Sequence, residues 1–283
     1  MKTKSRFVLA IAMGSVLAAS SAFGANFIFN NGDLVLGFQA SGGTGNTKNV
    51  FFNLGSGVSA RNGDGMGTVK GNIGTTLSSV FGSNWYSRSD VWFGVLGNLN
   101  ANANSGVGSR AAVDGDPSRT WYVSRAASTA GSAALINAST YVSSSLGTAG
   151  TNFSGLEGYL PNLTAQADGS AILDQSANPT EWNNSWTKWN PIVGGAQGAS
   201  LTVFTGGVQQ TFGQSGSETF IDLQRVLSTN TGANPQGTVG GGTYEASYSI
   251  SNTGNITMVP EPSSTLLVGV AGLGLALRRR RNA

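Results

Sequence analysis

Apolar residues along this chain arrive in short runs separated by glycine, asparagine and serine, and the spacing within each run sorts them into elements. Strand character is clearest at residues 33–38, 49–53, 91–96, 120–123, 200–204 and 219–223, which are rich in β-branched, aromatic or leucine side chains. Between residues 243 and 250 the order alternates, with Tyr244, Ala246, Tyr248 and Ile250 on one side, as in a half-buried strand. Residues 255–259 are placed to pair back against it across Ser251, Asn252, Thr253 and Gly254, a sequence suited to a hairpin turn.

Three segments carry helical spacing instead. Leu77, Val80 and Phe81 stand at i, i+3 and i+4 within residues 75–81. Residues 133–146 offer Leu135, Tyr141, Val142 and Leu146 as an inner face. A third helix starts with Asn178 as N-cap, Pro179 at the first turn and Glu181 as its N3 partner, and Pro191 ends it. Glycine clusters at 42–43, 194–195 and 240–242 mark turns, and no fixed repeat period runs through the chain. The expected fold is α+β and strand-dominated: an antiparallel β-rich extracellular domain with a few helices, flanked by two short membrane-targeting helices.

Both flanks depart from this pattern. Lys2, Lys4 and Arg6 precede an uncharged apolar run at residues 7–19, followed by small residues at Ala22 and Gly24. That order is a secretory signal peptide, with cleavage expected after Gly24 or, as a second choice, after Ala22. At the other end, Pro260, Glu261 and Pro262 lead through three hydroxyl residues into Leu266, Leu267, Val268, Val270, Leu273, Leu275 and Leu277. Arg278, Arg279, Arg280 and Arg281 close the run. As a helix, residues 266–277 span about 18 Å at 1.5 Å per residue, short of the roughly 30 Å hydrocarbon core. The arginines are expected to stay on the cytoplasmic side. Three units follow: residues 1–24 as signal peptide, 25–258 as the mature domain and 259–283 as a second address.

This C-terminus resembles the PEP-CTERM sorting signal, in which a Pro-Glu-Pro motif, a short apolar helix and an arginine cluster follow in that order. The resemblance rests on Pro260, Glu261, Pro262, the apolar run and the four arginines, under a tenth of the chain. It implies recognition by exosortase, a membrane-embedded transpeptidase-like enzyme, and transfer of the mature protein to the cell surface or exopolysaccharide matrix. The motif's own chemistry agrees: two prolines without N–H groups favour an extended, unpaired segment that an enzyme reaches easily.

Charge and composition change the picture of the middle region. The 283 residues include 16 basic and 13 acidic side chains, for a net +3. Seven of the basic residues sit in the two flanks, so residues 25–258 hold nine basic against twelve acidic groups and no affinity for nucleic acid is expected. The absence of histidine removes Ser-His-Asp triads and His-ligated metals, and the absence of cysteine removes thiolate chemistry. No cofactor and no metal is expected: Asp114 and Asp116, and Asn62 and Asp64, stop short of a calcium loop and read as polar turns.

The remaining chemistry is carbohydrate chemistry. Trp182, Trp186 and Trp189 fall at i, i+4 and i+7, either a core-facing stripe or an exposed platform for sugar stacking. Glu157, Glu181, Glu218 and Glu245 are among the acids a two-carboxylate hydrolase would draw on, yet the sequence singles out no pair. The expectation is therefore a non-enzymatic exported protein, structural or adhesive, contacting exopolysaccharide. Signal peptidase and exosortase are its processing partners and the inner membrane its transient anchor. The alternative is a secreted, carboxylate-dependent carbohydrate-active enzyme.

Overall fold

The computed structural model describes residues 25–99, 116, 120–136, 143–190, 192–193, 196–197, 207–213, 216–227 and 242–260. Ten strands form one antiparallel sheet. They are β1 (Asp33–Ala40), β2 (Lys48–Ser56), β3 (Val69–Asn72), β4 (Val91–Leu99), β5 (Thr120–Ala127), β6 (Ala171–Asp174), β9 (Gln209–Thr211), β10 (Glu218–Val226), β11 (Thr243–Ser251) and β12 (Asn255–Val259). The order across the sheet is β3-β12-β11-β10-β5-β4-β1-β2-β6, with β9 added on β4. A separate ladder joins β7 (Ile192–Val193) to β8 (Ala196–Gln197).

The sheet curls into a half-barrel, and its two ends approach each other: the Phe52 ring of β2 lies directly over the backbone of Gly71 in β3. The concave face holds Leu34, Leu36, Phe38, Val50, Phe52, Val95, Ile221, Leu223, Tyr248, Ile250 and Met258. Two helices, α1 (Gly57–Arg61) and α2 (Gly74–Phe81), fill the hollow. The expected inner face of α2 is observed, with Leu77, Val80 and Phe81 all buried in that cluster. The convex face carries Val35, Phe51, Leu96, Trp121 and Val123. It is covered by α3 (Ser143–Tyr159), the 3-10 turns at Leu160–Asn162 and Glu181–Asn184, the short α4 (Trp186–Trp189), and Phe27 and Phe29. Strands covered on both faces read as continuous apolar runs, so all residues of β1 and β4 are buried.

The hairpin expected between residues 243 and 259 forms, closed by Ser251: its carbonyl accepts from Gly254 N at 2.9 Å and its Oγ from Asn255 N at 3.1 Å. Two helices fall elsewhere. Residues 133–136 are not helical, Leu135 is exposed, and the helix runs instead from Ser143 to Tyr159, where Pro161 opens the following 3-10 turn. Among its described side chains Ala149, Phe153, Leu156 and Tyr159 face the core, downstream of the expected residues. The helix expected from Asn178 is split into a 3-10 turn and α4, because Ser185 is extended (φ −69, ψ 164) and caps α4 with its side chain.

Both flanking helices, with residues 1–24 and 261–283, lie outside the described residues, as does the strand expected at 200–204. Among the described residues no helix is long and apolar enough to cross a membrane.

Candidate functional site

The three tryptophans singled out in the sequence lie among the described residues. Trp186 is fully buried: its indole lies flat on the backbone of Gly37 in β1, where a side chain would collide with the ring. Its Nε1 donates to Gln209 Oε1 at 2.9 Å, and Gln39 Nε2 donates to the same oxygen at 2.7 Å and to Asn190 O at 2.5 Å. This buried polar network pins α4 to the convex face of the sheet, through Gln39 of β1 and Gln209 of β9. Trp182 is buried in the same layer, and Trp189 is half-buried against it. The three rings thus belong to the core packing, and Trp182 and Trp186 offer no free face for sugar stacking. Their spacing is that of a stripe turned inward.

The acids separate onto both faces of the sheet. On the concave side, Asp116 is completely buried between two guanidiniums, with Arg61 Nη1 at 2.5 Å and Arg225 Nη1 at 2.8 Å from its Oδ1. Tyr122 donates its hydroxyl to Asp116 Oδ2. Arg225 Nε meets Glu245 Oε1 at 2.8 Å. Burial works against the Arg225 charge, but Asp116 and Glu245 together hold its pKa above the ordinary arginine value. Burial raises Glu245, and the charge of Arg225 works against that rise. Burial raises Tyr122 too, and the hydrogen bond to Asp116 adds to the effect. The two cations and two anions form a neutral cluster under α1. Its members come from four distant parts of the chain, so no local sequence signal marks it. Asp116 has its oxygens fully engaged here, and Asp64 lies in an exposed turn after α1.

On the convex side, Glu157 projects from α3 with one buried oxygen lacking a hydrogen-bond partner. Burial alone pushes its pKa up to about 8, so the carboxyl is protonated at neutral pH. Glu181 lies in the 3-10 turn that packs against α3, and Glu218 is exposed at the start of β10.

A cleft of about 500 Å³ opens at the seam where β2 approaches β3. Ile28, Phe52, Asn26, Asn53, Lys70 and Asp168 are among its lining residues. Several of its polar groups are already engaged: Asn53 Nδ2 donates to Asp33 Oδ2 at 2.8 Å, and Thr76 Oγ1 donates to Asp168 Oδ2 at 2.7 Å. Burial works against the Asp168 charge, yet its hydrogen bonds from Ser170 and Thr76 win and hold its pKa low.

The C-terminal address is tied directly to this fold. Strand β12 is paired with β11 up to Val259 and, on its other edge, with β3 up to Thr257, where backbone hydrogen bonds between Met258 and the Gly67–Thr68 segment continue the contact. Pro260 follows at once, exposed, with its ring packed beside Gly67. Glu261, Pro262, the apolar residues from Leu266 to Leu277 and the four arginines lie outside the described residues.

Comparison with known families gives one match: residues 259–281 fit the family model of the PEP-CTERM protein-sorting motif. The match covers the segment that the sequence marked and begins at the last residue of β12. Such a motif marks a protein sorted by exosortase to the cell surface. Neither a curated protein nor a solved structure matches the chain.

Proposed function

We propose that the half-barrel is the non-catalytic cargo of this sorting route, a structural or adhesive component of the cell surface or extracellular matrix in contact with exopolysaccharide. The observation that carries the reading is the PEP-CTERM match at residues 259–281, which starts at the last residue of β12. In this reading the signal peptide directs export, the apolar run 266–277 holds the protein transiently in the inner membrane, and the arginines keep the tail end inside. Processing near Pro260, Glu261 and Pro262 then frees residues 25–258 as an intact unit. A low-charge surface rich in hydroxyl and amide groups suits hydrogen bonding to neutral polysaccharide without strong salt dependence. The placement of the acids supports a non-catalytic role, since Glu245 is paired with Arg225 on the concave face and Glu157 sits on the convex face.

One observation favours the carbohydrate-active alternative. Glu157, protonated at neutral pH, has the state a general acid needs. Hydrolysis of the host's own exopolysaccharide by the wild type, abolished in Glu157→Gln, would establish that alternative and end the structural reading.

The sorting reading is tested by cell fractionation. Wild type is expected in the surface or matrix fraction, and a chain with Pro260, Glu261 and Pro262 all replaced by alanine is expected to stay in the membrane. Unchanged release of the variant would sink the assignment.

A further inference from the structure

The end of β12 is held by a hydrogen-bonded loop that exposes two large apolar side chains, Met66 and Val69, beside the polar Asn62, Asp64 and Thr68. Residues 62–68 run Asn-Gly-Asp-Gly-Met-Gly-Thr, and Gly63, Gly65 and Gly67 all adopt left-handed backbone with φ of 80°, 78° and 75°. A side chain at these positions would be strained, so the glycines set the path of the loop. Hydrogen bonds lock it: Gly67 N donates to Met258 O at 2.7 Å, and Met258 N donates to Thr68 O at 3.1 Å. Lys70 Nζ reaches back to Asp64 O at 3.2 Å. Met66 and Val69 flank the Gly67–Thr68 pair, and they stand 39% and 60% exposed. Both are among the few large hydrophobic residues that the described surface leaves exposed.

The chain from this point to the membrane is short. Six residues, 260–265, separate Val259 from the apolar run, and fully extended they reach at most about 20 Å. An enzyme embedded in the bilayer that takes the Pro-Glu-Pro segment must therefore meet the rim of the half-barrel beside Pro260. It cannot draw on residues 256–258 as a free strand, because they are hydrogen-bonded on both edges.

We propose that the 62–68 loop with Met66 and Val69 is a docking surface for exosortase, contacted by the enzyme while it holds Pro260, Glu261 and Pro262. The proposal rests on the sorting reading above and adds a second contact to it. Recognition in this scheme has two parts, the extended motif and a hydrogen-bonded rim beside it that presents Met66 and Val69. The rim supplies binding area that six residues of tail do not, and its hydrogen bonding means little ordering entropy is lost on contact. An unfolded cargo would present the motif without the rim, so the enzyme favours chains whose last strand is already in the sheet.

The test uses the full chain in a host carrying an epitope-tagged exosortase. A photo-crosslinking residue is placed at position 66, at 69, or at Thr253 in the turn at the opposite end of β12 as control. Adducts with the tagged enzyme are expected from 66 and 69 and not from 253. Pulse-chase of Met66→Ser/Val69→Ser should show conversion to the released form slowed roughly fivefold to tenfold, since both contacts are apolar. Protease resistance of the precursor verifies that this variant is folded. The alanine triple variant at 260–262 runs in parallel. If it blocks release while the double variant is released at the wild-type rate, docking is refuted and sorting stands. If its release is also unchanged, the sorting reading itself fails. Adducts with lipid alone, or equal adducts from all three positions, also overturn the docking surface.

Discussion

Asp116 shows how one side chain can hold a whole layer in place. It is fully buried, and it stands between Arg61 from α1 and Arg225 from β10, with Tyr122 donating from β5. Removing it leaves two guanidiniums facing each other in a space with little water. Asp116→Ala is therefore expected to cost about 3–5 kcal/mol of unfolding free energy, measured by urea titration. Arg61→Met should cost less, because Asp116 keeps Arg225 and Glu245 can take up a proton that burial already favours. A larger loss for Arg61→Met than for Asp116→Ala would contradict this account of the cluster. Glu157 works in the opposite sense. Its folded-state pKa of about 8 lies above the ordinary 4.5, so the folded state holds a proton that the unfolded chain has released. Stability is unaffected below about pH 4.5, falls as pH rises toward 8, and levels off above that. Glu157→Gln should flatten this slope and raise stability at pH 8 by roughly 4 kcal/mol, read from melts at several pH values.

Elements in this protein are joined by close approach of backbone to ring. Gly37 sits in the middle of β1, and a Cβ there would lie 2.3 Å from the nearest atom of the Trp186 indole. Trp186 has no room to withdraw, since it is fully buried and hydrogen-bonded to Gln209. Gly37→Ala should push α4 off the convex face, at a cost of about 2–3 kcal/mol, with red-shifted tryptophan fluorescence as its signature. A melt unchanged from wild type would show that the layer is looser than the contacts imply. This packing also explains what the sequence could and could not reveal. Runs such as 91–96 and the alternation at 243–250 are local, and they became β4 and β11 with their ends extended. The helix at 143–159 is rich in serine and glycine, so its weak periodicity hid where it began. The tryptophan spacing was readable, but the break at Ser185 and the approach of Trp186 to Gly37 depend on residues far away in sequence. The cluster at Arg61, Asp116, Arg225 and Glu245 is wholly long-range, so composition gave no hint of it. The C-terminal address was legible because its function depends on order along the chain rather than on the fold.

At the scale of the whole molecule, charge separates the two flanks from residues 25–258, and this makes the proposed processing measurable. The full sequence carries +3. Removing residues 1–24 takes away Lys2, Lys4 and Arg6 and brings the chain to zero. Removing the tail takes four arginines and leaves −3, or −4 if Glu261 stays with the domain. Each cut creates one new terminus in place of another, so the steps are set by side chains alone. The three forms should resolve as three bands on isoelectric focusing, the first basic, near the sequence pI of 9.3, and the last acidic. The surface form is expected at the acidic position, and the alanine triple variant at 260–262 should accumulate between the two, slightly more basic for the loss of Glu261. A surface form that focuses at the intermediate position would mean that the four arginines are retained, making the protein a permanent anchor rather than released cargo. The same arithmetic bears on contact with the matrix. A domain of −3 spread over more than two hundred residues has little long-range field. Its association with a neutral polysaccharide should therefore hold from low salt to about 0.5 M, where the Debye length is only a few ångströms. Elution of the released protein from the matrix by salt alone would point instead to an ionic partner.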